Sequence, residues 1–167
     1  ELRVLEAARG LTDTGVSVST TLLGAHALPP EFAEDRDGYV DLVCSEMIPQ
    51  AARAGLADAV DGFCEGIGFT PDECERVLRT GSEHGLAGRL HADQLSDLGG
   101  AALAARLGAR SADHLEYASE SGAAAMGATG CAAVLLPGAF YFLGEARKPP
   151  IEVTRMITAA PITTPRM

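Results

Sequence analysis

The stretch RLHADQLSDLGGAALAARLGARSADHLEY, residues 89–117, decides the fold of this chain. A short apolar segment ends in the polar cluster 91–94, a run with helical spacing follows, and a second apolar segment ends at His114. Counted from His91 to His114 to Leu135, the strand ends recur about every 20–24 residues. Strand, helix and strand with short connections are typical of right-handed βαβ units in a parallel sheet.

The same alternation extends in both directions along the chain. We predict strands within residues 16–27, 57–69, 87–95, 111–118 and 131–143. Helical spacing predicts helices over about 37–54, 70–85, 99–107 and 120–128, and a further helix at 151–157. Pro49 should kink or end the first of these early, whereas Thr70, Pro71 and Glu73 form a capping box that starts the second. A doubly wound sheet and part of a (β/α)8 barrel both fit this pattern.

Composition limits the class of protein. With 167 residues, 47% of them hydrophobic, the chain can form one domain with a core. The formal charge of −10 argues against nucleic acid as a partner. No apolar run is long enough to span a bilayer, and the charged start ELRVLEAARGLTD does not resemble a signal peptide, so we expect no membrane association and a cytoplasmic location. The four scattered cysteines are predicted to be buried free thiols.

Histidines mark the predicted strand ends. His26, His91 and His114 each lie at or near such an end, where parallel α/β proteins carry their chemistry, whereas His84 belongs to a helix end. Imidazole and carboxylate groups around one mouth suit a zinc or iron site. The chain has no H-E-x-x-H or His-x-His pair, however, so spacing alone supports a metal site only weakly. Phosphate-binding glycine motifs and a G-x-S-x-G elbow are also absent from the sequence.

Three other features at strand ends leave their roles open. The segment LPGAFYFLGE, residues 136–145, is predicted to end a strand, with its aromatic side chains either packed in the core or forming a pocket wall. Glu65 and Glu116 also end strands, and a single carboxylate there is more often solvated or paired than catalytic. Asp93 is interpreted as a loop or helix-start carboxylate without a functional role.

Several long motifs carry a resemblance to a known family. They are TTLLGAHALPPEF, YVDLVCSEMIP, ADAVDGFCEGIGF, RLHADQLSDLGGAALAARLGARSADHLEY and AAVLLPGAFYFL, which run in order from about residue 15 to Pro150. Together they closely resemble the imidazolonepropionase family of the amidohydrolase superfamily, whose members are metal-dependent (β/α)8 TIM barrels. The resemblance implies hydrolysis of 4-imidazolone-5-propanoate to N-formimidoyl-L-glutamate by metal-activated water, with one zinc or iron ion, in a cytoplasmic homodimer.

The resemblance also implies a role for four residues. His91 resembles the metal ligand at the end of the family's fifth barrel strand. Gln94 matches a position that contacts the substrate ring or the attacking water, and His114 resembles a sixth-strand histidine that polarises the reacting group and shuttles protons. His26 is similar to the third-strand histidine that holds the substrate.

Two motifs of the family are missing from this sequence. The His-x-His metal pair of its first strand does not occur, and after Pro150 no Asp stands where the eighth strand should supply a metal ligand. We therefore expect a partial barrel over residues 1–167, covering about strands three to seven, with 151–167 as a divergent tail, and we expect the isolated chain to be inactive. Two alternatives stay open: another amidohydrolase that acts on a cyclic amide or amidine, and a non-catalytic half-barrel.

Overall fold

The computed structural model describes residues 1–150 and Val153. In this part of the chain the strands are Thr21–Ala25 (β1), Ala59–Cys64 (β2), Ala87–Ala92 (β3), Ser111–His114 (β4) and Ala132–Val134 (β5). They form one sheet in chain order, and each pairs in parallel with the next. A doubly wound sheet reverses its strand order at a switch point, whereas a barrel adds every strand on the same side. The strand order therefore confirms the partial barrel that the resemblance implied, and it excludes the doubly wound sheet that the alternation alone left open.

Helices fill the connections between the strands. They are Leu2–Gly10 (α1), Arg36–Leu42 (α2), Ile48–Arg53 (α3), Pro71–Glu83 (α4), Gly100–Arg106 (α5), Glu120–Thr129 (α6) and Pro137–Leu143 (α7). The core lies between these helices and the sheet, because the strand residues that face outward, among them Leu22, Val60 and Leu90, are fully buried. The predicted capping box of α4 is confirmed: Thr70 Oγ1 accepts from the Glu73 N–H at 3.3 Å, and Glu73 Oε2 accepts from the Thr70 N–H at 2.7 Å.

The helix predicted over 37–54 is present, but Pro49 does not end it. Helix α2 continues through a π-helical turn at Val43–Met47 directly into α3. Proline lacks an N–H and its ring crowds the carbonyl one turn earlier. A π turn widens the helix by one residue, and Pro49 then occupies the first turn of α3, where an N–H needs no partner within the helix.

The strand predicted over 131–143 is wrong in its second half. Strand β5 ends at Val134, and residues Pro137–Leu143 form α7 instead. Pro137 fits the first turn of a helix, and Gly144 ends it in the left-handed conformation at φ 69°. Aromatic residues have high strand propensity, and this local preference gave the wrong prediction.

Helix α1 was not predicted, and tertiary contacts explain its presence. Its charged sequence buries Leu5 alone. Arg9 Nη2 lies 2.6 Å from Asp58 Oδ1, just before β2, and this ion pair ties the helix to the sheet. The prediction of free cysteines is confirmed, since Cys44, Cys64, Cys74 and Cys131 are buried thiols.

Other predictions concern the end of the chain and membranes. The helix predicted at 151–157 and the tail 151–167 lie outside the described residues, apart from Val153, which is helical and buried. None of the helices in the described part of the chain combines the length and the apolar character needed to cross a membrane.

Candidate metal and substrate site at the strand ends

The three strand-end histidines meet at one edge of the sheet. His26 directly follows β1, His91 lies in β3, and His114 ends β4. The ring centroids of His26 and His91 are 5.6 Å apart, and those of His91 and His114 are 5.5 Å apart. His84 is not part of this group, because it caps the C-terminus of α4 and its Nδ1 lies 2.9 Å from the Thr80 carbonyl oxygen.

These histidines line a cavity of about 410 Å³. Gln94 also lines it, although the side chain is 8% exposed, and so does Phe63, whose ring stacks on His26 at a centroid distance of 5.2 Å. All four residues predicted for the site therefore share one cavity. The volume of this cavity is in the range of small-molecule sites, which combine apolar walls with a few polar groups.

An aspartate beside His91 was missed at the level of sequence. Asp61 lies in β2, is 4% exposed, and has both carboxylate oxygens 3.1 Å from His91 Nδ1. Asp61 Oδ1 also accepts from the Gly62 N–H at 2.7 Å. The sequence pattern could have indicated this aspartate, because alternation of side chains along the strand AVDGFC places Asp61 on the same face as Phe63.

A second carboxylate completes a group that could hold a metal ion. Asp113 pairs in register with His91 across β3 and β4, and one ligand atom each from Asp61, His91 and Asp113 lies within 4.8 Å of the others. Asp113 Oδ1 is buried and has no hydrogen-bond partner among the described residues. One imidazole and two carboxylates fit zinc, iron or manganese. The residues present are therefore chemically suited to a divalent ion.

The pKa values of two histidines diverge at this site. Burial lowers the pKa of His91, but the hydrogen bond that its ring donates to Asp61 and the charges of Asp61 and Asp113 outweigh burial, so the pKa is raised overall. Burial, followed by the charge of His91, lowers the pKa of His114 to about 4. At neutral pH His114 is therefore uncharged, and its ring can accept a proton.

Backbone strain brings His114 into the cavity. In register it pairs with Ala92, which faces the helices, so regular alternation would turn His114 away from the site. His114 and Leu115 instead adopt φ values of 78° and 70°, in the left-handed region that non-glycine residues rarely occupy. Strain of this kind concentrates at functional sites, and here it places the His114 ring beside that of His91.

The other strand-end carboxylates, Glu65, Asp93 and Glu116, are all buried. Glu65 accepts from the Leu95 N–H at 2.8 Å, the Ser96 N–H at 3.2 Å and Ser96 Oγ at 2.6 Å, and so fixes the loop that carries Gln94. Asp93 accepts from the first N–H groups of α5 and acts as its cap. Glu116 Oε2 lies 3.9 Å from His114 Nδ1, beyond hydrogen-bond distance.

The aromatic residues of α7 do not pack in the core. Tyr141 is 79% exposed and Phe142 is 89% exposed. Phe140 and Tyr141 line a separate cavity of about 330 Å³ with Glu116, Leu135 and Leu136. Of the two interpretations left open for this segment, the structure supports a pocket wall for Phe140 and Tyr141.

Solved structures share the fold of this chain. The chain superposes on an adenosine deaminase from Xanthomonas campestris with a TM-score of 0.57 at 18% identity, covering 90% of this chain and 37% of the deaminase. It superposes on a Xaa-Pro dipeptidase with a TM-score of 0.55 at 14% identity, covering 93% and 45%. At such identities the likeness shows the fold alone, a TIM barrel of which the chain forms a part.

Sequence similarity is more specific. The chain is 62% identical over 156 residues to the imidazolonepropionase of Ectopseudomonas mendocina, a match covering 93% of this chain and 38% of that enzyme. The chain is thus a homologue of imidazolonepropionases and spans about two-fifths of their length, which confirms the resemblance found in its motifs. No protein-family model matches it.

Proposed function

We propose that this chain forms the central part of an imidazolonepropionase, a hydrolase of cyclic amides in histidine breakdown. The substrate is 4-imidazolone-5-propanoate and the product is N-formimidoyl-L-glutamate. The observation that supports this most is the convergence of His26, His91, Gln94 and His114 on one cavity, in a chain 62% identical to such an enzyme.

In this proposal His91 binds the ion, which is zinc or iron. When bound, the ion acts as a Lewis acid and lowers the pKa of a water molecule to near neutrality. Asp61 and Asp113 surround His91 with negative charge, which favours a cation at this position.

The remaining residues bind the substrate and move protons. His114 is uncharged at neutral pH, so it accepts a proton during attack on the ring and returns it to the leaving nitrogen. Gln94 hydrogen-bonds to the substrate from a loop that Glu65 holds in place. His26 contacts the substrate beside His91, where stacking on Phe63 orients the His26 ring.

We expect the 167-residue chain to be inactive by itself. Of the metal ligands that the resemblance implies, His91 is present, whereas the His-x-His pair and the last-strand Asp are not found in the sequence. Hydrolysis of 4-imidazolone-5-propanoate should be measured with added zinc or iron. Turnover above a blank that contains the metal alone would contradict this expectation.

A chimera tests the proposed function directly. The matching 156-residue segment of the Ectopseudomonas mendocina enzyme is replaced by that of this chain. We expect the chimera to hydrolyse 4-imidazolone-5-propanoate but not hydantoin or guanine. His91→Asn in the chimera should lower kcat/KM by more than the ~10–100-fold that loss of an outer-shell partner costs.

The matched control is His84→Asn, which should leave activity unchanged because His84 contacts the Thr80 carbonyl at the end of α4. A folded chimera that hydrolyses hydantoin or guanine instead would favour the alternative amidohydrolase. A folded chimera without activity on any of the three would favour the non-catalytic half-barrel.

The resemblance also leads us to propose a cytoplasmic homodimer for the whole enzyme. Localisation of a fluorescent fusion and sedimentation velocity of the chimera test these two points separately. A monomer over the micromolar range, or export of the fusion, would contradict them.

A further inference from the structure

The buried pair of Asp61 and His91 decides which nitrogen of His91 is available to a ligand. We propose that Asp61 is a positioning residue, whose carboxylate fixes the proton of His91 on Nδ1 and leaves Nε2 free to bind. The assignment of the proton stands on geometry alone; its consequence for a metal ion rests on the proposed function.

Hydrogen-bond chemistry supports this assignment. An ionised carboxylate only accepts hydrogen bonds, so at 3.1 Å the Nδ1 atom of His91 must donate. In the neutral ring the single proton then resides on Nδ1, and the lone pair is on Nε2. A histidine that binds metal through one nitrogen commonly donates from the other to a carboxylate, and this fixes both tautomer and ring orientation.

Burial makes the pairing obligatory. Asp61 is 4% exposed, and its described partners are the Gly62 N–H and the His91 ring. A buried carboxylate is costly unless it is paired and hydrogen-bonded. The position in the sheet is also fixed, because Phe63 pairs with His91 and Asp61 lies two residues earlier on the same face of β2.

A competing arrangement uses the same residues differently. An ion held directly by Asp61, His91 and Asp113 would displace the proton from Nδ1, since that is the nitrogen facing Asp61. The two arrangements predict opposite states of His91 Nδ1, protonated in ours and metal-bound in the other. This atom is therefore the one to observe.

The first experiment reads the tautomer in the full chain without metal. Histidine is labelled with ¹⁵N, long-range ¹H–¹⁵N spectra are recorded at a pH where the rings are neutral, and His91→Gln identifies the signals. We expect wild-type His91 to be the Nδ1–H tautomer. Asp61→Ala should shift it towards Nε2–H, the form that a free histidine side chain favours.

Two further variants separate positioning from folding. Asp61→Asn keeps the size of the side chain and an oxygen acceptor, so it should retain much of the Nδ1–H form even if Asp61→Ala does not fold. Asp113→Ala, on the other side of His91, should leave the tautomer unchanged. An Nε2–H tautomer in the wild type, or no change in folded Asp61→Ala, would overturn the proposal.

The second experiment titrates Zn²⁺ alone into the labelled chimera, because the chain by itself lacks the His-x-His pair and the last-strand Asp that the resemblance implies. We expect the ion to shift the His91 Nε2 signal while Nδ1 keeps its proton, and Asp61→Ala to weaken binding by ~10–100-fold. Loss of the Nδ1 proton, with equal weakening in Asp113→Ala, would overturn the proposal in favour of the competing site. If the tautomer is as expected but Zn²⁺ never perturbs His91, the positioning role stands and the metal-binding part of the proposed function fails.

Discussion

At the scale of single residues, His114 shows how position changes chemistry. The same side chain on a surface would carry a charge below pH 6.5, but here it is 6% exposed and lies beside His91. A lowered histidine pKa means that the folded state resists protonation. The contribution of His114 to the free energy of unfolding is therefore fully present above pH 6.5. It is lost as the pH falls towards 4, by on the order of 3 kcal/mol.

We predict that NMR titration of the histidine side chains will give His91 a pKa above 6.5 and His114 one near 4. In His91→Gln the pKa of His114 should rise, because the neighbouring positive charge is removed, yet stay below 6.5 because burial remains. The reverse order, with His114 titrating above His91, would contradict the assigned environments.

Asp93 is a second residue whose role depends on its surroundings. Its carboxylate is fully buried and accepts from the Gly100 and Ala101 N–H groups at 2.9 Å each, and burial raises its pKa in spite of these bonds. Its backbone adopts φ 51°. Asp93 thus joins the end of β3 to the start of α5 and acts as a structural cap, not a catalytic group.

Replacing Asp93 with Ala should lower the free energy of unfolding by about 1–3 kcal/mol, because two buried N–H groups lose their acceptor. Urea denaturation measures this loss. Asp97→Ala is the matched control in the same loop: Asp97 is exposed and accepts from the Gly99 N–H, so its loss should be smaller. Equal effects of the two variants would argue against the cap.

At the scale of elements, close packing of α4 against β2 depends on a glycine inside the helix. A Cβ on Gly81 would overlap Cγ1 of Val60, a fully buried residue of β2. Gly138 in α7 offers the contrast, because a Cβ there meets no heavy atom within 4 Å. Helix propensity favours alanine equally at both positions, so packing alone distinguishes them.

We predict opposite signs for the two alanine substitutions. Gly81→Ala should destabilise the chain by about 1–3 kcal/mol through overpacking. Gly138→Ala should leave it unchanged or more stable by up to about 1 kcal/mol, through loss of freedom in the unfolded chain. Thermal or urea unfolding of both variants checks this, and a stabilised Gly81→Ala would show that α4 is packed less closely than described.

The elements that sequence patterns did and did not predict differ in a physical way. Strands β1–β4 and helix α4 were predicted because the local signals agree with the fold: the alternation of apolar segments and helical spacing, the helix caps, and the glycines that end helices. Helix α7 was missed because its aromatic run favours a strand, while Pro137 and Gly144, the signals of a helix, lie only at its ends. Helix α1 has no buried stripe to detect, since it depends on the contact between Arg9 and Asp58.

At the scale of the whole molecule, the described part of the barrel has open edges and an exposed apolar patch. Within the described residues β1 pairs with β2 alone and β5 with β4 alone. Tyr141, Phe142 and Leu143 on α7 are 79%, 89% and 52% exposed. Contiguous exposed apolar residues favour association with another surface.

We predict that the isolated chain self-associates through this patch. Replacing Tyr141 and Phe142 with Ser should reduce self-association in sedimentation velocity and change the free energy of unfolding by less than about 0.5 kcal/mol, because neither side chain is buried. Val4→Ser, at an exposed position of α1, is the control for loss of apolar surface elsewhere. Unchanged association in the double variant would point to the strand edges instead.

The sequence by itself determined the alternation of strands and helices, the placement of three histidines at strand ends, and the homology to imidazolonepropionases. These features follow from the local spacing of residues and from the residues of the motifs, neither of which depends on distant contacts. The alternation fits both a barrel and a doubly wound sheet; the resemblance implied the barrel, and the order of the strands in the tertiary structure confirmed it. Only the tertiary structure placed Asp61 and Asp113 beside His91, because residues about 20–30 positions apart become neighbours only when parallel strands align.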